Sequence, residues 1–379
     1  TVNWTDIDSL TKIYICNQSY NLSIECGVGG SLFCKEPVFG FDAVNTKSCQ
    51  YTAVMADFPN QTYFARVCDQ EGNCSDSVIE DLNLLNASIG ICLDYSVNNT
   101  LNNITASYNS FCAILLNRDC FNNRIYNNNM QNNQYGVYLG INCKNNNLSG
   151  NKAIYNEVGY YLYDDCTDNI LKNNTANNSI ANGIYIGADS NNCQLINNTI
   201  SLNNTYSNVG GIYLAQNYNA ELSNNSLVRA GIVLRGFIER ISSHKIYSNN
   251  TANGKPIYYY INKTGLSTNN LTNAGQVILI GCNDSYIPSL NVSYITNGFS
   301  FYYCYNNTIF NCTINNNMRG ILFYEENYYN IIYNCTLSDN YYGIEFHESK
   351  KNEILNNTLA ENDYGLHLTW YSNENIISN

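Results

Sequence analysis

The sequence predicts an all-β chain, most of it a right-handed parallel β-helix, from its composition and from one repeated phrase. Asparagine accounts for 71 of the 379 residues. Asparagine disfavours helices because its side chain competes for main-chain hydrogen bonds and favours turns. A glycine followed by alternating apolar residues returns about every 23 residues, as in GILF at 320–323 and GIEF at 343–346. Such a period is typical of solenoids, in which each coil buries the apolar face of its neighbour.

Each repeated phrase predicts the first strand of a coil, because its apolar side chains alternate with a period of two. A second apolar pair follows around NNT or NCT, as in LINNTI at 195–200 and ILNNTL at 354–359. We therefore expect about thirteen coils over residues 82–379, each with two or three short strands, and almost no helix. The expected coil openings are Gly90, Ala113, Gly136, Gly159, Gly183, Gly211, Gly231, Gly254, Gly275, Gly298, Gly320, Gly343 and Gly365.

Residues 1–81 show no such period and predict a separate, smaller β module. The segment FDAVNTKSCQYTAVMADFPNQTYFARVCDQEGNCSDSVIE at 41–80 alternates strands with turn signals. It resembles the immunoglobulin-like modules of prokaryotic surface proteins, whose last hairpin often carries a turn like DQEGN at 69–73. The resemblance implies a small disulfide-bonded β-sandwich over 1–81, followed by the β-helix over 82–379. The alternative is a β-rich cap that closes the first coil.

Residues 82–379 resemble the parallel β-helix repeat proteins. Two segments, NGKPIYYYIN at 253–262 and AGQVILIGCNDSYI at 274–287, are similar to the NosD-like branch of these proteins. That branch is named for periplasmic copper-binding proteins, and its repeats also occur in archaeal surface proteins. The resemblance implies the fold strongly and an activity only weakly.

Sixteen cysteines exceed what a reduced cytosolic protein needs and indicate an oxidising compartment. Cys120, Cys143 and Cys166 each lie seven residues after a coil opening, so they should stack within disulfide range. We predict bridges between neighbouring coils and up to three bridges in residues 1–81; a ladder of free buried cysteines is the alternative. The predicted disulfide cysteines are Cys16, Cys26, Cys34, Cys49, Cys68, Cys74, Cys120, Cys143, Cys166, Cys193, Cys282, Cys304, Cys312 and Cys335.

Five of the six asparagines before Leu82 lie in N-glycosylation sequons, which the repeat cannot explain. Within the repeat, sequon asparagines nine or ten residues before the next coil opening should instead form stacked, hydrogen-bonded ladders; these are Asn173, Asn311, Asn334 and Asn356. The predicted glycosylation sites are Asn3, Asn17, Asn21, Asn60, Asn73, Asn86, Asn177, Asn203, Asn262, Asn291 and Asn306. The sequence thus predicts covalent N-glycans on a secreted, extracellular or cell-surface protein.

Charge and hydropathy argue against nucleic acid and membrane as partners. The net charge is −12, and the lysines and arginines are scattered singly rather than in a basic stripe. No run of 18 or more apolar residues occurs, so we expect no membrane span.

No group of residues in the sequence predicts catalysis or metal binding. The acids Asp164, Asp165 and Asp168 lie in a turn without aligned partners in both neighbouring coils, and we interpret them as a solvated loop. Glu325 and Glu326 recur loosely as Glu345 and Glu348, which we interpret as a wet face. Three histidines at unrelated positions in their coils and no CxxC pair predict no metal site and no cofactor. The tyrosines are expected to divide between sugar stacking and packing of coil on coil.

The leading hypothesis is a non-enzymatic structural glycoprotein, a subunit of an archaeal surface filament or surface layer. Copies of the chain would assemble head to tail, with the N-terminal module of one on the open β-helix end of the next. The alternatives are a polysaccharide-binding or polysaccharide-degrading β-helix, acting as a lyase or hydrolase, and a NosD-like periplasmic factor.

Overall fold

A computed structural model describes residues 77–202 and 210–378 together with four strands nearer the start, Val2–Asp6, Lys12–Cys16, Asn45–Cys49 and Phe64–Cys68. The first and third of these strands pair antiparallel, as do the second and fourth. The immunoglobulin-like module and its boundary at residue 81 stay predictions, because most of residues 1–76 lie outside the described residues.

The fold is a right-handed parallel β-helix of about 13 turns, which confirms the predicted fold class. Helical structure in the described residues is restricted to one turn of α-helix, Ile238–Ile241, and one 3₁₀ turn, Thr268–Asn270. No helix in this part of the chain has the length and apolar character needed to cross a membrane. The chain divides into two compact units, Thr1–Ser179 with Ile184–Asn198 and Ile180–Gly183 with Thr199–Asn379.

Each coil of the first unit has three strands, which we call the anchor strand, the second strand and the third strand in chain order. The anchor strands are Ile89–Leu93, Cys112–Arg118, Tyr135–Ile141, Val158–Asp164 and Ile184–Ile186. The second strands are Ser77–Glu80, Thr100–Asn102, Arg124–Tyr126, Asn147–Ser149, Ile170–Lys172 and Gln194–Ile196. The third strands are Asn83–Leu85, Thr105–Ser107, Asn129–Gln131, Lys152–Ile154 and Thr175–Ser179.

Strands of one kind pair in parallel from coil to coil, so the same residue of every coil meets its equivalent in the next. Leu116, Leu139 and Leu162 are register partners in three successive anchor strands, and all three are fully buried. This stacking places one apolar column above another in the interior, and burial of these columns is the main stabilising contribution of the fold.

The second unit has the same three kinds of strand. Its anchor strands are Ile212–Ala215, Ile232–Arg235, Gln276–Ile280, Asn297–Tyr302, Arg319–Tyr324, Tyr342–His347 and Tyr364–Thr369. Its second strands are Glu221–Ser223, Lys245–Ile246, Tyr286–Pro288, Thr308–Phe310, Ile331–Tyr333, Glu353–Leu355 and Ile376–Ser378. Its third strands are Thr199–Leu202, Ser226–Val228, Thr251–Ala252, Asn291–Ser293, Thr313–Asn315, Thr336–Ser338 and Thr358–Ala360. One further strand, Lys255–Ile261, lies between Thr251–Ala252 and Gln276–Ile280 in the chain.

At the expected coil opening Gly254 the chain forms a hairpin, which the repeat did not predict. Asn253 and Gly254 have φ values of 50° and 76° and form the turn of a hairpin in which Ala252 pairs antiparallel with Lys255. Two-residue hairpin turns need positive φ at both central residues, which Asn-Gly supplies. The strand Lys255–Ile261 then pairs in parallel with Gln276–Ile280. The coil between residues 254 and 275 therefore has no third strand.

Left-handed residues at the corners of the coils explain the high asparagine content. In one coil of the first unit the corners are Asp119, Asn122, Asn127 and Asn132, and in the next they are Asn142, Asn145, Gly150 and Tyr155. The corners are thus spaced by 3, 5 and 5 residues in each coil. Asparagine, aspartate and glycine tolerate a positive φ better than other residues do.

Inside the corners, buried asparagines form ladders that run from coil to coil. The Asn146 Oδ1 atom accepts hydrogen bonds from the main-chain and side-chain nitrogens of Asn123, both at 2.9 Å. The Asn146 side-chain amide donates to the Cys120 carbonyl at 2.9 Å and to Asn169 Oδ1 at 3.1 Å. Each ladder asparagine thereby satisfies main-chain groups that a turn would otherwise leave unpaired in the interior.

Candidate functional site

The outer face of the last three anchor strands of the second unit carries ionisable and aromatic side chains in adjacent rows. Ile344 and Phe346 point into the core and are fully buried, so the alternate residues Glu345 and His347 point outward. The stacking register places Arg319 beside Tyr342, and Glu345 beside His367. We call this surface the outer polar face; it comprises Arg319, Tyr324, Tyr342, Glu345, His347, Tyr364 and His367.

Glu345 is the centre of the outer polar face. Its Oε2 atom accepts a hydrogen bond from the Arg319 guanidinium, and its Oε1 atom lies 3.4 Å from His367 Nδ1. The side chain of Glu345 is only 12% exposed, whereas that of His367 is 32% exposed. A largely buried carboxylate between a cation and an imidazole is held in one orientation, because leaving the buried charge unpaired would be costly.

Aromatic rings enclose this charged group. The Tyr342 ring stacks on the His367 ring with centroids 4.9 Å apart, and the Arg319 guanidinium lies 5.6 Å from the Tyr342 centroid. A second stacked pair, Tyr324 and His347, has centroids 4.4 Å apart. Rings that alternate with charged hydrogen-bonding groups give the surface both apolar and polar contacts for a ligand.

The same face is covered by protein in the preceding coils. The Tyr302 hydroxyl donates to the Leu234 carbonyl at 3.1 Å, and Tyr302 is almost completely buried. Burial also raises the pKa of Tyr302 above its ordinary value. The side chain of Gln276 forms two hydrogen bonds of 2.8 Å with the main chain of Ile232. These bonds attach the strand Ile232–Arg235, which covers this face, to the anchor strand Gln276–Ile280. The outer polar face lies beside this covered region.

The interpretation of Glu345 as part of a wet face is wrong, because its carboxylate is largely buried and paired. The sequence contains a signal for this pair: Arg319 and Glu345 are 26 residues apart, one coil plus three residues. Glu325, Glu326 and Glu348 are corner residues with positive φ, and Glu325 accepts a hydrogen bond from Tyr303.

The three acids of the YDDCTD segment were expected in a solvated loop. Asp164 is the last residue of an anchor strand, and the other two acids lie in the turn that follows it. Asp165 and Asp168 are corner residues with φ values of 49° and 58°. Asp165 also forms an ion pair with Lys144 at 2.9 Å, and both side chains are partly exposed. Their place at the corners gives these acids a structural role in the turn.

The sequence placed the three histidines at unrelated positions, but two of them share one face of the structure. His347 and His367 share the outer polar face although they lie at different positions in their coils, because both of those positions point outward. His244 is buried elsewhere in the second unit, where its Nδ1 atom accepts a hydrogen bond from the Ala220 main-chain nitrogen at 3.1 Å. No group of three His, Cys, Asp or Glu side chains that could hold a metal ion occurs among the described residues.

Burial lowers the pKa of His244 from 6.5 to about 4. The unfolded chain therefore binds a proton at pH values where the folded chain does not, so the contribution of His244 is complete above pH 6.5 and is lost as the pH falls towards 4. We expect the wild type to lose about 2 kcal/mol more than His244→Asn between pH 7 and pH 5, in urea unfolding. Asparagine keeps the acceptor for Ala220 but does not titrate, and equal losses in the two proteins would contradict the prediction.

The ten cysteines in the described residues are buried free thiols, which differs from the predicted bridges. The stacking itself is as expected: Cys143 lies between Cys120 and Cys166, whose thiols are close enough to interact with its own. It also donates to the Leu116 carbonyl at 3.4 Å. Carbonyl acceptors thus satisfy the thiols without a covalent bond.

The other predicted pairs divide between two kinds of position. Cys282 and Cys304 lie at the same place in neighbouring coils, one residue after a corner, as the Cys120 column does. Cys312 and Cys335 instead replace ladder asparagines: the Cys312 main-chain nitrogen donates to Cys335 Sγ at 3.4 Å. Cys193 also lies in a ladder, outside the Cys120 column, and its thiol donates to the Cys166 carbonyl. Oxidation of stacked cysteines stays a prediction.

The cysteines of the first 76 residues are not tested. Cys26, Cys34 and Cys74 lie outside the described residues, and only the main chain is described for Cys16, Cys49 and Cys68. Their bridges stay predictions.

The sequon asparagines of the repeat are exposed corner residues that precede the buried ladders. Asn173 accepts a hydrogen bond from Asn197 at 2.7 Å, and Asn334 donates to Asn311 at 3.5 Å, so the expected stacking occurs at the surface. The triplet Asn173-Asn174-Thr175 supplies a corner, a ladder residue and the first residue of a strand. The fold therefore accounts for repeat sequons without glycosylation.

The predicted glycosylation sites differ in accessibility. Asn86, Asn262, Asn291 and Asn306 are exposed, and Asn177 is half-buried. Asn306 is a corner residue that donates to Asp284 at 2.7 Å, so it belongs to the same kind of exposed column as Asn311. The sites Asn17, Asn21, Asn60, Asn73 and Asn203 lie outside the described residues, as does the side chain of Asn3. Occupancy stays a prediction at all of these sites.

Two protein-family models match the chain on either side of the hairpin region. Residues 67–227 match "Right handed beta helix region", and residues 253–379 match "Periplasmic copper-binding protein (NosD)". The NosD match begins at Asn253, the first residue of the hairpin turn. No curated protein matches the chain significantly.

Solved structures similar to the chain have low sequence identity to it. The A-module of a mannuronan C-5 epimerase from Azotobacter vinelandii is 11% identical with a TM-score of 0.36, over 76% of this chain and 90% of that one. The catalytic unit of an α-1,3-glucanase from Streptomyces thermodiastaticus is 12% identical with a TM-score of 0.31, over 80% and 50%. A tailspike protein of Escherichia coli bacteriophage HK620 is 11% identical with a TM-score of 0.34, over 81% and 72%.

The repeat, the stacked register and the two family matches agree. The periplasmic description of the NosD family also accords with the location outside the cytoplasm that cysteines and sequons predict. The chain is a parallel β-helix repeat protein, and its residues 253–379 match the NosD family.

Proposed function

We propose that the protein is an extracellular or periplasmic β-helix that binds an extended saccharide on the outer polar face. The observation that carries this proposal is the Arg319–Glu345–His367 group, flanked by the rings of Tyr342 and Tyr364. A pyranose ring has an apolar face of C–H groups and a rim of hydroxyl groups. It therefore needs ring surfaces next to charged hydrogen-bonding groups, and the outer polar face supplies both.

The charge of the molecule favours a saccharide over other extended polymers. A net charge of −12 disfavours a phosphate backbone. Parallel stacking sets outward side chains of neighbouring anchor strands side by side, such as Tyr342 beside Tyr364 and Glu345 beside His367, so an extended polymer can contact more than one coil.

The experiment that tests the proposal is binding of the wild type and of Glu345→Gln to an array of neutral and acidic polysaccharides. We expect the wild type to bind at least one of them and Glu345→Gln to bind it about tenfold more weakly, because the substitution removes the charge that orients Arg319 and His367. Glu361→Gln is the matched control, since Glu361 is an exposed corner residue later in the same coil. Thermal melts of all three proteins show whether the fold is retained.

Two outcomes would contradict the proposal: wild-type protein that binds no polysaccharide on the array, or Glu345→Gln protein that binds as well as wild type. Reducing-end and unsaturated-product assays on the same samples test for turnover, because a carboxylate 3.4 Å from an imidazole is also a general acid–base geometry. The expectation that the chain is not an enzyme stays a prediction.

The structural hypothesis, a surface filament or surface layer built head to tail from copies of this chain, also stays a prediction. Electron microscopy of native material measures it directly: regular polymers would support it and dispersed single molecules would contradict it.

A further inference from the structure

A cleft of about 460 Å³ lies in the second unit, beside the hairpin through which the sheet of third strands continues into the strand Lys255–Ile261. The strand Thr251–Ala252 turns back into the hairpin and does not begin another complete coil. The next third strand, Asn291–Ser293, pairs only with Thr313–Asn315 among the described strands. The cleft lies between these two strands, and its volume is in the usual range for small-molecule sites.

Two side chains of the hairpin satisfy the open edge of Asn291–Ser293. The Asn253 side-chain amide donates to the carbonyls of Ser293 and Tyr294 at 2.9 and 3.0 Å. The Lys255 ammonium donates to the Asn291 carbonyl at 3.1 Å. These bonds reduce the risk of pairing that an open strand edge carries. They also fix one cation, Lys255, at the wall of the cleft.

The charge of the cleft is opposite to that of the chain. Arg229 and Lys255 both line it, and none of the described lining residues is Asp or Glu. The whole chain has 30 acidic and 18 basic residues. The Arg229 main-chain nitrogen donates to Asn253 Oδ1 at 2.8 Å, so the backbone of Arg229 is held while its exposed side chain extends from a corner. Two cations without a lining acid favour an oxyanion.

An aromatic ring stands at the rim of the cleft. Tyr294 lines it, is 50% exposed and has a φ of 58°. A bulky residue in the left-handed region is uncommon, because its Cβ crowds the backbone there. The exposed ring offers an apolar surface next to the two cations.

We propose that this cleft binds an acidic sugar unit, with Arg229 and Lys255 holding its carboxylate and Tyr294 packing against its ring. The cleft has far more room than a lone ion needs, since one water accounts for about 30 Å³ of liquid volume. The proposal does not depend on saccharide binding at the outer polar face, because it uses other residues and a different feature of the fold.

The test is calorimetric binding of trigalacturonate to the full chain in a chelator-containing buffer, with the methyl ester of the same trisaccharide and inorganic sulfate as comparison probes. We expect trigalacturonate to bind, to bind more weakly at high salt, and to bind at least about tenfold more tightly than the ester. Arg229→Gln should weaken binding about tenfold. Lys172→Gln changes an exposed lysine outside the cleft and is the matched control; it should bind as wild type does.

Equal affinity for the ester and the acid would overturn the proposal, as would wild-type affinity in Arg229→Gln. Sulfate that binds as tightly as trigalacturonate would overturn the sugar part, because the ring would then contribute nothing. Lys255→Gln also removes a bond to Asn291, so Arg229→Gln is the decisive variant if Lys255→Gln fails to fold.

Discussion

Replacing Asn330 by leucine is expected to lower the free energy of unfolding by about 3–5 kcal/mol. Asn330 is fully buried in a ladder of the second unit. Its Oδ1 atom accepts from the main-chain and side-chain nitrogens of Asn307 at 3.0 and 2.9 Å. Its amide donates to the Cys304 carbonyl at 3.1 Å and to Asn352 Oδ1 at 3.0 Å. Leucine has a similar size but would leave these groups without partners in the interior.

The matched control for Asn330→Leu is Asn311→Gly. Asn311 is an exposed corner residue with a φ of 52°, and its amide donates to Ser289 Oγ at 3.1 Å. Glycine adopts that φ without strain, so the change should cost well under 1 kcal/mol, as surface hydrogen bonds usually do. Urea unfolding followed by circular dichroism measures both variants. Equal stability of the two would show that the buried ladder does not hold the coils together.

Replacing Gly320 by valine is expected to cost at least about 3 kcal/mol, the second largest effect. A Cβ at Gly320 would lie 2.5 Å from the Gly343 carbonyl oxygen and 3.0 Å from Leu337 Cδ2. The first neighbour is backbone of the next coil, which cannot move without displacing the stacked strands. The glycine that opens each coil is therefore needed for close approach between coils.

Gly365→Ala provides the control for the glycine prediction, because it occupies the same place in a later coil. A Cβ there would meet Leu359 Cβ at 3.5 Å, an ordinary contact distance. Gly365→Ala should change the melting temperature little, whereas Gly320→Ala should lower it and Gly320→Val should lower it further. A Gly320→Val protein that melts with the wild type would refute the steric explanation.

The strands and their period could be predicted from sequence because both depend on local alternation. The phrase GILF at 320–323 and its return at 343–346 become stacked anchor strands, with Ile321 paired to Ile344. The same periodicity did not reveal the hairpin at Gly254. A glycine followed by apolar residues fits a coil opening and also fits a hairpin, since both need glycine where the chain turns. Only the pairing of Ala252 with Lys255 distinguishes the two.

The corner residues were predicted from the sequence only in part. Asparagine was correctly associated with turns, but the alternation of an exposed corner with a buried ladder residue was not predicted. Asn173 is exposed and Asn174 is buried, although the two residues are identical and adjacent. The difference comes from the left-handed φ of Asn173, which turns the next side chain inward.

The sequence by itself determined that the chain is a β-solenoid with a coil of about 23 residues, because a repeated local pattern specifies how each coil folds and that it must stack. Only the tertiary structure decided which outward side chains meet. Arg319 reaches Glu345 and Glu345 reaches His367 through the register of neighbouring coils, and a shift of one residue would turn these side chains to the other face. The cleft near Arg229 likewise lies where a hairpin joins two kinds of strand in one sheet and Asn291–Ser293 begins another sheet, an arrangement that the repeat does not predict. The sequence of each coil thus specifies that the coils stack, whereas both candidate sites depend on which side chains meet between coils.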